Sequence, residues 1–193
     1  MFIKSQNNCE ILLAGRQGRC CRFDENDARA LGRTASGVRG INIEDNDEVI
    51  GMIAYDPTAE DASAHSLLVV SENGYGKRTD FDEYRKTNRG GKGVKTLNIT
   101  EKTGDLVAMK NVTDENDLMI INRSGITIRM AVSDIKVAGR ATQGVRLINI
   151  KEGDSIAAIS AVNKSEDDAA VQQSPAEAPL EDSASSQTEQ TNE

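Results

Sequence analysis

One twelve-residue stretch, present three times, constrains what this chain can fold into. Gly32 to Ile43 returns as Asn88 to Ile99 and again as Gly139 to Ile150, at offsets of 56 and then 51 residues. A second landmark keeps the same offsets, because Gly18 to Arg22 matches Gly74 to Arg78 and Gly125 to Arg129. Two landmarks moving together identify a repeated supersecondary unit. Units of this length cannot bury their apolar faces alone and stack on their neighbours.

Each unit carries the same succession of signals. A short apolar run opens it: Ile11 to Ala14, Leu67 to Val70, Leu118 to Ile121. A tight turn ending in Gly18, Gly74 or Gly125 follows, and a glycine there supplies the positive φ of a hairpin. A second, alternating strand comes next, clearest in Ile126-Thr127-Ile128-Arg129. A polar connection leads to the Gly-Val motif, whose third strand is read as Val38 to Ile43 and its copies. The fourth strand is Val49 to Tyr55, Leu106 to Lys110, or Ile156 to Val162. Four short antiparallel strands per unit predict an all-β, propeller-like array of about three blades, too few to close a ring. Almost no helix is expected before residue 163. The repeats are placed at about 5–55, 56–111 and 112–162. Met1 to Lys4 matches the end of a fourth strand, so the chain is expected to start inside a unit of a longer protein. Residues 163–193, rich in Ser, Gln, Ala, Glu, Asp and Pro, lack the apolar content to offset ordering entropy and read as a disordered acidic tail.

The net charge of −8 conceals two opposite regions. Residues 165–193 contain eight acids and no Lys or Arg, which leaves residues 1–164 with 23 acids and 23 bases. Within that neutral body, the segments 15–39, 74–95 and 125–146 hold 17 bases against 7 acids. The repeated motif is therefore cationic and its linkers anionic. That pattern points to a polyanion partner.

Other chemistries find little support. Cys9, Cys20 and Cys21 are an odd set with a vicinal pair, a poor disulfide framework. Neighbours in a strand face opposite ways, so Cys20 and Cys21 are read as one inward and one outward. His65 is the single histidine, placed in a solvated loop, and cannot build a zinc site or a triad. Asn73 to Arg78 and Arg89 to Gly93 are glycine-rich but lack phosphate-loop spacing. No catalytic or metal constellation is found. No apolar run reaches the roughly 20 residues of a membrane span, and the chain reads as cytoplasmic.

The recurring cations fall into three rows: Arg22, Arg78 and Arg129; Arg33, Arg89 and Arg140; Arg39, Lys95 and Arg146. Lys77 and Lys92 add to them. Cations repeated once per blade among glycines suit phosphate contacts along a nucleic-acid backbone. With aromatic content of 3% there is little for unpaired bases to stack on, so duplex is favoured over single strands. The competing reading is that these arginines pair with acids recurring in register, such as Asp27, Glu83 and Asp134.

The motifs Gly32-Arg33-Thr34-Ala35-Ser36-Gly37-Val38-Arg39-Gly40-Ile41, Asn73-Gly74-Tyr75-Gly76-Lys77-Arg78-Thr79 and Gly139-Arg140-Ala141-Thr142-Gln143-Gly144-Val145 resemble the C-terminal domain of the DNA gyrase A protein. The resemblance covers about residues 1–162. It implies a β-pinwheel, a propeller variant whose blades exchange a strand, with a basic rim that wraps double-stranded DNA. The chain resembles the last three blades and acidic tail of such a domain. The implied holoenzyme is an ATP-dependent type II topoisomerase that introduces negative supercoils. Its catalytic tyrosine lies upstream, and its ATP and magnesium lie on other domains. The implied partners are the rest of the gyrase A protein and the gyrase B protein, and the implied location is on the chromosome. Asn88 to Gly93 resembles the family's Gln-Arg-Arg-Gly-Gly-type box, which belongs to the first blade there and stands in the middle unit here. The corresponding domain of topoisomerase IV, and a propeller-like protein-interaction module, are the alternatives.

Overall fold

The computed structural model describes residues 8–164. The expectations for Met1 to Lys4 and for the acidic tail beyond Lys164 lie outside them. Eleven strands and four single-turn 3₁₀ segments make up the described chain, which has no α-helix. The first unit supplies β1 (Glu10–Gly15), β2 (Arg19–Asp24) and β3 (Val49–Tyr55). The second supplies β4 (Ser66–Ser71), β5 (Tyr75–Thr79), β6 (Val94–Lys95) and β7 (Leu106–Val112). The third supplies β8 (Asn116–Asn122), β9 (Thr127–Ala131), β10 (Val145–Arg146) and β11 (Ile156–Asn163).

The sheets do not follow the units. Their strand orders are β3-β1-β2-β6, β7-β4-β5-β10 and β11-β8-β9. In units two and three the Gly-Val motif thus leaves its own sheet and pairs with the second strand of the preceding one. Val94 lies opposite Cys20, and Val145 opposite Gly76. This corrects the reading of the motif as the third strand of its own blade, and it is the exchange that the resemblance implied. Val38 to Ile43 forms no strand, because no described blade precedes the first. Blade three has three strands for the matching reason: no later motif among the described residues covers the outer edge of β9.

Burial follows position in the stack. In the middle blade Leu67, Leu68, Val69 and Val70 are each fully buried, since both faces of β4 meet a neighbour. A continuous apolar run is what such a strand requires. In the first blade only one face is fully covered, so Leu12 and Ala14 are buried while Ile11 and Leu13 are half-buried. In the third, Ile121, the copy of Val70, is 38% exposed. Leu12, Ile53, Tyr55, Leu67, Val69, Phe81, Tyr84 and Leu106 form one core shared by blades one and two. Leu68, Val70, Leu118, Ile120, Ile135 and Ile148 form another shared by blades two and three. Burying each such aliphatic side chain contributes about 1.5–3 kcal/mol, so apolar burial binds blade to blade as much as it builds each sheet. Tyr55 and Phe81 stack across the first junction, ring centroids 3.9 Å apart and planes within 6°.

Two sequence-based placements change. Cys20 and Cys21 are both buried, at 1% and 0%, because the returning motif covers the face that a lone blade would leave open. Cys21 Sγ lies 3.6 Å from Thr87 Oγ1 in that motif's approach. Burial raises the Cys20 thiol far above its ordinary range, so it stays protonated. His65 is not a solvated loop residue. Its Nδ1 lies 3.0 Å from Asn111 Oδ1 and its Nε2 3.3 Å from Asp61, and together these tie the linker to β7.

Candidate nucleic-acid interface

The glycine just before the motif's valine lets it dock. Gly93 and Gly144 have φ of +69° and +78°. A Cβ on Gly93 would collide with Cys20 O, and one on Gly144 would come 2.5 Å from Gly76 O. Backbone therefore meets backbone where the loop lands on the preceding blade, and only glycine fits. Gly93→Ala is expected to lower the midpoint of thermal unfolding by several degrees. Gly37→Ala, also at positive φ (+81°) but in open space, should cost less. Equal shifts in the two variants would contradict this account of docking.

Docking brings consecutive motifs side by side. Asn42 N–H donates to Gly91 O (2.9 Å), Gly90 N–H to Gly40 O (2.8 Å), and Asn98 N–H to Thr142 O (3.2 Å). The second-row arginines complete each junction. Arg89 Nη1 donates to Arg39 O, and Nε to Asp27 O at 3.1 Å. Arg140 Nη1 donates to Lys95 O at 3.1 Å. The Arg89 and Arg140 contacts are the same contact one repeat apart. Each sets a second-row arginine against the backbone of the third-row base of the preceding motif, pairing Arg89 with Arg39 and Arg140 with Lys95. The partners are carbonyls, not the carboxylates of Asp27, Glu83 or Asp134, so the positive charge is braced without being cancelled. Arg140 meets Glu83 through its backbone N–H alone (3.4 Å).

Two third-row bases brace onto an asparagine three residues on in their own motif. Lys95 Nζ donates to Asn98 Oδ1 (3.1 Å), and Arg146 Nη1 to Asn149 Oδ1 (3.0 Å). Arg146 also donates to Tyr75 Oη through Nη2 (2.8 Å), with its Cζ 5.4 Å from the ring centroid. That hydrogen bond holds the phenol below its ordinary pKa. Arg33, Arg39 and Lys92 are exposed, and make no side-chain hydrogen bond or ion pair among the described residues.

The first row sits elsewhere. Arg22 is 8% exposed, with Nε bonded to Glu10 and Nη1 donating to Phe81 O (2.6 Å) and Tyr84 O (3.0 Å). Arg78, also 8% exposed, donates to Ile135 O (2.9 Å), Ser133 O and Asp114. Arg129 pairs with Asp117 at 2.7 Å. Lys77 is fully buried. The repeat pattern points Arg22, Lys77 and Arg78 at phosphate. Their donors are instead taken up by protein oxygens, most of them in the next unit, and they hold blades together. Counting recurring cations misses Arg19, an exposed base directly opposite Lys95 in the β2–β6 ladder. Its copies are Tyr75 and Ile126, so no recurrence marks it. Like charges placed opposite each other cost stability unless an anion lies nearby. Among the described residues no group of His, Cys, Asp and Glu could hold a metal ion, and no helix is long and apolar enough to cross a membrane.

Antiparallel blades that take a strand from the next unit define a β-pinwheel, the strand-exchanging class of propeller. The family model described as DNA gyrase C-terminal domain, beta-propeller, matches residues 10–56, 65–113 and 116–163, one match per unit. The chain belongs to that family. It is 46% identical over 160 residues to the DNA gyrase A protein of Staphylococcus epidermidis, covering 83% of this chain and 18% of that protein. It is 45% identical over 159 residues to that of Staphylococcus aureus, with 82% and 18% covered. The chain thus spans under a fifth of the length of these relatives. A solved DNA gyrase A C-terminal domain superposes with a TM-score of 0.72 at 21% identity, over 81% of this chain and 52% of that one. The C-terminal domain of a DNA topoisomerase IV gives 0.73 at 21% identity, over 86% and 51%. At that identity the likeness concerns the fold.

Proposed function

We propose that these blades hold double-stranded DNA by its phosphates and bend it, as the wrapping region of a gyrase-type, ATP-dependent type II topoisomerase that introduces negative supercoils. The observation that carries the reading is the repeated contact of Arg89 with Arg39 O and of Arg140 with Lys95 O. It joins a second-row arginine to a third-row base and repeats at both described blade junctions. A duplex following cations that are fixed to successive blades must curve with them. The path consists of Arg33, Arg39, Arg89, Lys92, Lys95, Arg140 and Arg146. Arg22, Lys77, Arg78 and Arg129 are assigned to the scaffold. ATP, magnesium and the strand-cleaving tyrosine belong to other domains and to the gyrase B protein, and the assembly works on the chromosome in the cytoplasm. The 46% identity to a gyrase A protein favours gyrase over topoisomerase IV.

Binding to a duplex of mixed sequence should weaken steeply with salt. Seven phosphate contacts give a log–log slope of at most about 6. Unrelated duplexes should bind alike, and single strands of equal length more weakly. A slope near zero would turn the assignment toward a protein-interaction module.

A further inference from the structure

Lys77 is a lysine with no exposed surface, placed beneath the loop that carries Arg140. Its Nζ donates to Gly139 O (2.6 Å), Arg140 O (2.6 Å) and Thr142 Oγ1 (3.1 Å). All three ammonium donors are used, and all three acceptors lie on one loop of the next unit. Neighbours in β5 tether the same loop: Thr79 Oγ1 donates to Ala138 O (2.9 Å), and Ala138 N–H to Arg78 O (2.9 Å). The equivalent position in blade one is Cys21, whose Sγ reaches only Asn88 O at 4.0 Å and Thr87 Oγ1 at 3.6 Å. In blade three it is Ile128. The ammonium clamp is therefore specific to one loop.

A buried charge is costly and is kept when its hydrogen bonds are complete. An apolar side chain, as in blade three, would fill the same place at less cost. We propose that Lys77 is a positioning residue for DNA binding: it fixes the backbone of Gly139 to Thr142 so that Arg140 is held ready for phosphate, making the blade two–three junction the most preorganised contact on the path. Fixing a binding loop beforehand removes an ordering cost that binding would otherwise bear. The inference rests on the phosphate path proposed above.

The charge of Lys77 is itself conditional. Burial lowers its pKa from the usual lysine value to about 8, with Glu83 opposing that shift and Arg140 adding to it. As pH rises through about 8 the ammonium loses a proton, and the clamp loses its charge assistance. Stability moves the other way. Between about 8 and the unfolded value the unfolded chain binds more protons, so folding gains as pH rises. Opposite trends in affinity and stability separate a positioning role from a structural one.

The test is a double-mutant cycle on the full 193-residue chain, with duplex DNA as the probe. Lys77→Met should weaken binding several-fold, by less than Arg140→Ala, because the guanidinium remains but is no longer held. The double variant should be no worse than Arg140→Ala alone. Paired with Arg89→Ala, Lys77→Met should be additive. An unchanged affinity in Lys77→Met, or additivity with Arg140→Ala, overturns the clamp. Should Lys77→Met fail to fold, the pH series decides. Unmodified protein should lose affinity between about pH 7 and 9, and Arg140→Ala should lose distinctly less. Equal pH profiles in the two proteins overturn the proposal. If Arg140→Ala itself binds normally, the phosphate path is wrong at this junction. If Arg140→Ala binds weakly but Lys77→Met does not, the path stands and only the clamp fails.

Discussion

Replacing Arg22 by alanine will destabilise the fold by about 3 kcal/mol, the lower end of the cost of breaking a buried ion pair. Glu10, 11% exposed, would lose its guanidinium and keep only the half-exposed Lys86, 3.4 Å away. Phe81 O and Tyr84 O would lose their donor at the blade one–two junction. Arg22 also lies over the Tyr55 ring, at 5.8 Å from the centroid, so aromatic packing at that junction would loosen as well. Arg78→Ala should cost somewhat less, through Ile135 O and Ser133 O at the next junction, because its acid partner Asp114 is 72% exposed. Arg129→Ala should cost less than Arg22→Ala, because that side chain is 37% exposed and, among the described residues, bridges no blade junction through carbonyls as Arg22 does, although its partner Asp117 is only 10% exposed. Urea denaturation of the three variants checks the order. If Arg22→Ala and Arg78→Ala keep full stability but lose DNA affinity, these residues face the ligand and the scaffold assignment is wrong.

The repeat made the strands legible, because apolar runs, hairpin glycines and alternation are local signals. The sheet that a strand joins is not local. Val94-Lys95 and Val145-Arg146 read the same whether they pair within a unit or with the preceding one. The choice is made by Gly93 and Gly144, which allow backbone to land on Cys20 O and Gly76 O about 70 residues away in sequence. The same distance hides the difference between the arginine rows. Arg22 and Arg33 look alike in sequence. Carbonyls of the next unit bury the first, and the second stays exposed. The clamp at Lys77 is hidden for a related reason, since its acceptors are supplied by residues 62 to 65 positions later.

Removing the three second-row arginines together should take away nearly half of the salt dependence expected of this surface. Each phosphate contact contributes about 0.9 to the log–log slope, so the triple alanine variant should lose about 2.7 from it. Across a fourfold rise in salt, the unmodified chain would then lose roughly 40-fold more affinity than the variant. The single variants should not be equal. Arg33 makes no side-chain bond among the described residues, so Arg33→Ala removes charge alone. Arg89→Ala also releases Arg39 O and Asp27 O, and Arg140→Ala releases Lys95 O. These two should therefore disturb the neighbouring third-row base and exceed Arg33→Ala in affinity loss. Because the contacts are to phosphate, the losses should be alike on unrelated duplexes. Replacing each arginine by lysine should restore most of the slope but less of the affinity at Arg89 and Arg140. An ammonium keeps the charge there yet cannot span carbonyl and phosphate as a planar guanidinium does. Variants that fold normally and bind with unchanged affinity and slope would show that the second row only ties one motif to the next, and that the duplex lies on another face of the blades.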